Sequence, residues 1–193
     1  MKFGRTGLTE IKAESNAEIF LDLKLHDIPN TVSSAVNSVA DLKPKFLTIH
    51  ASGGAAMISA AVAAAGSIEI TGVTILTSLA EGDLSEIGFQ PDTKKRAIQL
   101  AKLATDNGAK AIVCSPLEIE GIRAVIPKDI SIITPGIRPK NLSNSDDQKR
   151  IMDPSSAIAA GANYLVIGRP ITGLWSNGSE AMKKMAAEIR ESI

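Results

Sequence analysis

The chain has 193 residues, of which 44% are hydrophobic and only 3% are aromatic, so a core would have to be built from Ala, Val, Ile and Leu. Lysine plus arginine equals aspartate plus glutamate at 21 each, which gives no overall attraction to nucleic acid or to an anionic membrane. One cysteine, the absence of a signal-peptide pattern and no apolar stretch of about 18 residues predict a cytoplasmic protein without a disulfide framework.

Short apolar runs alternate with helical patterns along the chain. Six runs of four to nine residues, rich in Val, Ile or Leu, predict buried strands at 19–25, 46–50, 68–76, 111–115, 131–134 and 164–168. The intervening patterns predict helices at 31–42, 55–65, 92–107, 116–125, 154–160 and 179–193. Strands that alternate with helices in this way predict an α/β fold with a parallel sheet and right-handed crossovers.

A sequence pattern that occurs twice in the chain favours a barrel among the parallel α/β folds. Residues 107–113 resemble residues 160–166, and in both a glycine, Gly108 or Gly161, ends a helix just before a strand. Repetition of one unit favours a (β/α)8 TIM barrel, while a doubly wound sheet stays open on pattern alone. Six strands and a possible stub at 1–3 fall short of eight. We therefore expect one domain over residues 1–193, a barrel whose first strand has no counterpart in this chain.

Charged residues interrupt the first predicted strand near its carboxyl end, where barrels place their active sites. Because strand side chains alternate, Asp22 and Lys24 should point to one side and the flanking leucines to the other. Burial would strip the proton from Lys24, whereas neighbouring carboxylates, Asp22 and Asp27, would keep it an ammonium. This arrangement suits a proton donor that faces a developing carbanion, and a structural ion pair at a strand end is the alternative.

Three later segments have the composition of ligand-binding loops. Thr77 and Ser78 follow the third strand and offer hydroxyl groups to a ligand. Arg138 follows the fifth strand and precedes a polar stretch, 140–150, that is typical of a mobile lid. Gly168 and Arg169 follow the last strand, and barrels frequently bind phosphate with the loops after their last two strands.

Three single residues are interpreted as structural, and the role of a fourth, His26, stays open. His50 lies at a strand end and could be catalytic, but a hydrogen-bonded structural histidine is the expectation. Cys114 is expected to be buried and apolar. Trp175, the only tryptophan, is expected to anchor packing.

The segment at residues 20–31, FLDLKLHDIPNT, resembles the signature of the orotidine 5'-phosphate decarboxylase family, Asp-x-Lys-x-x-Asp-Ile-Pro-x-Thr. The Asp-x-Lys-x-x-Asp core alone is shared with sugar-phosphate decarboxylases and synthases on the same barrel, and the Ile-Pro-Asn-Thr extension narrows the resemblance to the pyrimidine enzyme. Further blocks that resemble the family lie at 50–54, 74–78, 113–115, 134–139, 147–150 and 166–171.

The resemblance implies an enzyme that decarboxylates orotidine 5'-monophosphate to uridine 5'-monophosphate and CO2, the last step of de novo UMP biosynthesis, without a metal or organic cofactor. It implies that Lys24 gives the proton to C6 and that Asp22 lies beside the substrate carboxylate. It also implies a homodimer in which Asp27 and Thr31 reach into the partner's site. The substrate-binding residues that it implies are Lys2, Thr31, Thr77, Arg138, Gln148, Gly168 and Arg169.

Two other functions stay open. A Mg²⁺-dependent sugar-phosphate lyase of the same barrel group would hold its metal with Asp22, Asp27 and a histidine. A non-catalytic nucleotide-binding relative would keep the barrel without the reaction, and the missing first strand is what motivates it.

Overall fold

The computed structural model describes residues 4–139 and 150–193, and within them six strands form one parallel sheet in chain order. Each strand pairs in parallel with the next along the chain. The predicted parallel sheet is thus confirmed. The strands are β1 (Phe20–Leu25), β2 (Phe46–His50), β3 (Glu69–Val73), β4 (Ala111–Val113), β5 (Ser131–Thr134) and β6 (Tyr164–Leu165).

Helices cover the connections between the strands. Several strands end earlier than predicted, since the residues that follow them leave the ladder to form loops. The sequence analysis did not predict α1, α4 or α8. The helices are α1 (Gly4–Glu14), α2 (Pro29–Val39), α3 (Gly54–Ala64), α4 (Glu81–Glu86), α5 (Thr93–Asp106), α6 (Ile119–Arg123), α7 (Pro154–Ala159), α8 (Arg169–Thr172) and α9 (Ser179–Glu191).

Residues at the helix ends explain where α5 starts and where α5 and α7 stop. Asp92 accepts a hydrogen bond from the backbone N–H of Lys95 and so caps α5. Gly108 and Gly161 follow α5 and α7 with φ of 93° and 112°, in the left-handed region that glycine enters without strain, as the repeated pattern predicts. No helix in the described part of the chain is both long and apolar enough to cross a membrane.

A contact between distant strands shows that the sheet curls. The ring centroids of Phe46 on β2 and Tyr164 on β6 lie 5.1 Å apart. Four strand spacings would separate β2 from β6 by about 19 Å in a flat sheet. The sheet therefore curls into part of a barrel wall, with β1 and β6 at its two edges over the described residues, and the doubly wound alternative is wrong. The described residues supply six of the eight strands of a full barrel.

The curled sheet separates two apolar layers. The inner layer is a small cluster that includes Phe46, Ala111 and Ile133. The larger core lies between the outer face of the sheet and the helices, with Leu47 and Ile132 at 0% exposure. Cys114 is buried, as predicted, at 1% exposure. The expectation for Trp175 is wrong: it lies in a surface turn before α9 and is 72% exposed.

Candidate active site

The carboxyl end of β1 departs from a regular strand. Its register with β2 slips between Leu21 and Leu25, so that three residues of β1 lie opposite Thr48 alone. Lys24 has φ of 48°, in the left-handed region that L residues rarely adopt. The bulge and this backbone conformation aim Asp22 and Lys24 into one cavity. The two side chains share a side, as strand alternation predicts, but on an irregular backbone.

Three hydrogen bonds join these residues. The Lys24 ammonium donates from Nζ to Oδ2 of Asp22 at 2.5 Å. The Thr48 hydroxyl donates to Oδ1 of Asp22 at 2.8 Å and accepts from the backbone N–H of Lys24, also at 2.8 Å. Thr48 is 0% exposed. The sequence analysis missed Thr48, although the alternation of β2 places it on the inner face with Phe46 and His50.

The predicted burial of Lys24 is wrong. Its side chain is 39% exposed and that of Asp22 is 42% exposed. The reason is position, because both lie at the end of β1, which is an edge strand of the sheet over the described residues. Solvent therefore weakens the attraction between the two charges. The hydrogen bonds described above fix the positions of Asp22 and Lys24 relative to each other.

A cavity of about 250 Å³ opens in front of this pair. Thr77 and Ser78, which follow β3, are among the residues that line it. A few convergent polar groups against apolar walls are typical of sites for small organic ligands. The apolar and thiol-bearing side of the cavity is formed by Phe20, Val73, Ile75, Leu76, Val113, Cys114, Pro135 and Val166.

The rings of two histidines contact each other in a tilted arrangement near the carboxyl ends of β1 and β2. The ring centroids of His26 and His50 lie 5.3 Å apart, at an interplanar angle of 43°. Burial lowers the pKa of His50, and the charges of His26 and Lys24 lower it further against the opposing effect of Asp22. A lowered pKa keeps the His50 imidazole neutral at pH 7. Among the described residues, the structure shows this ring contact for His50 and no side-chain hydrogen bond, so the predicted hydrogen-bonded role is not supported.

Asp27 and Thr31 lie outside this cavity, at the start of α2. Both are exposed, and Oδ1 of Asp27 accepts a hydrogen bond from the backbone N–H of Ile28 at 2.6 Å. Ile28 itself is 66% exposed. Within one chain, Asp27 is therefore not among the residues that line the cavity with Asp22 and Lys24.

Three of the predicted phosphate-binding residues lie in two loops, each a few residues after a residue that lines the cavity. Arg138 lies three residues beyond Pro135 of the wall, and its backbone N–H donates to the carbonyl of Met152 at 2.9 Å. Gly168 and Arg169 open α8, two and three residues beyond the wall, and both are exposed. Lys2, Gln148 and residues 140–149 of the predicted lid lie outside the described residues.

A buried ion pair, which the sequence analysis missed, supports the wall. Arg150 donates from Nη1 to Oε1 of Glu118 and from Nη2 to the carbonyl of Leu76, the latter at 2.8 Å. Burial raises the pKa of Glu118, and the positive charge of Arg150 opposes that rise. Glu118 also completes a capping box with Ser115, and this Ser-x-x-Glu pattern was the available signal.

Among the described residues, no three His, Cys, Asp or Glu side chains come together in a group that could hold a metal ion. The ligand set considered for a Mg²⁺ lyase, with Asp22 and Asp27 in one chain, is not assembled there.

Comparison with known proteins gives consistent results. A model of the "Orotidine 5'-phosphate decarboxylase / HUMPS family" matches residues 1–185. The orotidine 5'-phosphate decarboxylase of Thermobifida fusca (strain YX) is 45% identical over 192 residues, which cover 100% of this chain and 82% of that protein. The enzyme of Opitutus terrae is 48% identical over 163 residues, 82% of this chain and 70% of that protein. A crystal structure of orotidine 5'-phosphate decarboxylase from Lactobacillus acidophilus superposes with a TM-score of 0.78 at 34% identity, covering 94% of this chain and 79% of that one.

Proposed function

Because the chain belongs to the orotidine 5'-phosphate decarboxylase / HUMPS family, we propose that it decarboxylates orotidine 5'-monophosphate to uridine 5'-monophosphate and CO2. The curated relatives carry the decarboxylase name at 45% and 48% identity, which favours this reaction over that of a sugar-phosphate enzyme. The observation that carries the proposal is the Lys24 ammonium, hydrogen-bonded to Asp22 in a cavity that Thr77 and Ser78 also line.

The proposed chemistry uses Lys24 as an acid. When the bond between C6 and the carboxylate breaks, CO2 leaves and the electron pair stays on C6. Lys24 Nζ then donates its proton to C6, and the resulting amine regains a proton from water. An ammonium already held in place can stabilise the developing carbanion without reorganising as the charge appears. Asp22 holds that ammonium and lies beside the position of the departing carboxylate.

Binding is proposed to involve the hydroxyl groups near the base and the loops near the phosphate. Thr77 would contact the pyrimidine, because it lies in the wall of the cavity that contains Lys24. Arg138, Gly168 and Arg169 would hold the phosphate, for which a guanidinium provides forked donors. Lys2 and Gln148 are proposed to join them on the strength of the family resemblance. Binding energy gained at the phosphate can be used to orient the ring at Lys24.

We also propose a homodimer in which Asp27 and Thr31 enter the partner's site. Their exposure at the start of α2, outside the cavity of their own chain, supports this role. The neighbouring Ile28 is 66% exposed and would be covered at the same interface. Residues 1–193 are proposed to act as one barrel domain, in the cytoplasm and without a nucleic-acid or membrane partner.

The test is a spectrophotometric assay with orotidine 5'-monophosphate, whose ultraviolet absorbance changes on conversion to uridine 5'-monophosphate. We expect turnover by the unmodified protein and a loss of at least about 10³-fold in Lys24→Ala, in line with the upper contribution of a positioned proton donor. Lys102→Ala, on the exposed face of α5, is the control and should keep full activity.

Two results would overturn the proposal. Turnover of a keto-sugar phosphate that a chelator abolishes, with none of orotidine 5'-monophosphate, would identify the Mg²⁺-dependent lyase. Tight binding of uridine 5'-monophosphate without any turnover would identify a binding protein instead.

A further inference from the structure

We propose that Thr48 is a positioning residue for the reacting lysine: its hydroxyl holds both members of the pair formed by Asp22 and Lys24. This proposal rests on the decarboxylase function proposed above. Thr48 touches neither the cavity nor any position where the ring would lie, since it is not among the residues that line the cavity and it is fully buried. Its effect on the reaction would therefore pass through the two residues that it contacts.

The bulge in β1 creates the need for such a group. Three residues of β1 lie opposite Thr48, so the regular ladder is interrupted where the chain passes through Lys24. A backbone N–H that has lost its ladder partner costs free energy unless another acceptor replaces it. The Thr48 hydroxyl is that acceptor, at 2.8 Å from the backbone nitrogen of Lys24.

The same hydroxyl also forms a hydrogen bond with the carboxylate of Asp22. A hydroxyl has one hydrogen to donate and two lone pairs to accept with, so both contacts can exist together. It donates to Oδ1 of Asp22 at 2.8 Å, which leaves Oδ2 to accept from Lys24 Nζ. One buried atom on β2 therefore fixes the backbone of Lys24 and the orientation of the carboxylate that holds its ammonium.

This placement matters because Lys24 is half-exposed and lies on a strained backbone. A side chain with four rotatable bonds and access to water samples many positions, and misplacement of a reacting group by about 1 Å can cost about 100-fold in rate. Thr48 is the buried end of this arrangement, at 0% exposure. Its loss should reduce the rate of the proton transfer more than the binding of substrate.

The test compares Thr48→Val with Thr48→Ser. Valine keeps the branched shape and removes the hydroxyl, while serine keeps the hydroxyl. We expect Thr48→Val to lower kcat by roughly 10- to 100-fold with KM for orotidine 5'-monophosphate changed less than about threefold. Thr48→Ser should recover most of the lost kcat.

The matched control is Thr71→Val. Thr71 pairs directly with Thr48 across β2 and β3 and is equally buried, but its hydroxyl donates to the carbonyl of Glu69 in its own strand. It should keep kcat within about twofold. Circular dichroism and thermal melting of all three variants show whether each is folded at the assay temperature.

Three outcomes would overturn the inference. One is a folded Thr48→Val variant that keeps wild-type kcat. Another is a folded Thr48→Ser variant that loses as much kcat as the valine variant. The third is a loss confined to KM, which would assign Thr48 to substrate binding. Failure of the proposed function is distinguishable, because the unmodified protein and the Thr71→Val control would then also show no turnover.

Discussion

At the scale of single residues, the site combines a strained backbone with buried polar partners. Left-handed φ costs an L residue roughly 1–2 kcal/mol, and Lys24 at φ of 48° carries that cost. Strain of this kind persists only where the surroundings fix it, and here the Thr48 hydroxyl accepts the Lys24 backbone N–H. The strained residue is also the one to which the chemistry is assigned.

The buried pair of Arg150 and Glu118 gives a prediction about stability. Their side chains are only 11% and 1% exposed, so Arg150→Met would leave a carboxylate buried without its partner. We expect a loss of about 3–5 kcal/mol in the free energy of unfolding, measured as a lower midpoint in urea.

Lys102→Met is the matched control for that variant. Lys102 pairs with Asp106 on α5, where the side chains are 59% and 56% exposed. Loss of this surface pair should cost no more than about 0.5 kcal/mol. Equal losses in the two variants would contradict the assignment of a structural role to Arg150. Adding Glu118→Gln to Arg150→Met should restore part of the stability, because it removes the unpaired charge.

At the scale of elements, close packing of β3 against α5 fixes the position of the strand from which a loop of the site begins. Gly72 in β3 lies against Ala104 of α5, and a Cβ added at Gly72 would approach the Ala104 Cβ to 2.7 Å. The residues that follow β3 reach Thr77 and Ser78 in the cavity wall. Displacement of β3 from α5 would therefore move this wall.

Gly72→Ala tests that packing. The added methyl group has no room, so we expect a loss of about 1–3 kcal/mol in the free energy of unfolding, measured by urea denaturation. Gly82→Ala in α4 is the control, since nothing lies within 4 Å of a Cβ added there. It should be neutral or stabilising by up to about 1 kcal/mol, because alanine favours a helix over glycine. A neutral Gly72→Ala variant would show that β3 and α5 can separate without cost.

At the scale of the whole molecule, the curl of the sheet and the proposed dimer together determine what surrounds the substrate. The curl brings β2 and β6 together through Phe46 and Tyr164, so loops after distant strands face one cavity. Asp27 remains outside that cavity. A complete site would then combine Lys24 of one protomer with Asp27 of the other.

Co-expression of two inactive variants tests this combination. If Lys24→Ala and Asp27→Ala affect sites on opposite sides of the two-fold axis, each mixed dimer regains one intact site. Random pairing makes about half of the dimers mixed, so we expect about a quarter of wild-type activity from the mixture. The control mixture is Lys24→Ala with Asp22→Ala, two residues of the same chain's site, and it should remain inactive. An inactive first mixture would place Asp27 in its own chain's site.

The sequence by itself determined the features that depend on neighbours along the chain. Apolar runs of strand length separated by helical patterns predicted the parallel sheet, and glycines after α5 and α7 predicted the left-handed caps. The spacing of Asp22 and Lys24 placed both on one side of β1, because strand alternation is a local property. The motif that contains them also predicted the family.

Only the tertiary structure decided which residues from other elements contact the charged side chains in and around the site. Thr48 is 26 residues from Asp22, and Arg150 is 32 residues from Glu118. Each contact depends on strand register or loop path, which no local periodicity specifies. The half-exposure of Lys24 was decided in the same way, by the position of β1 at the edge of the described sheet. The residues proposed to carry the chemistry were readable from the chain, whereas the contacts that hold Lys24 in place arise from packing between strands distant in sequence.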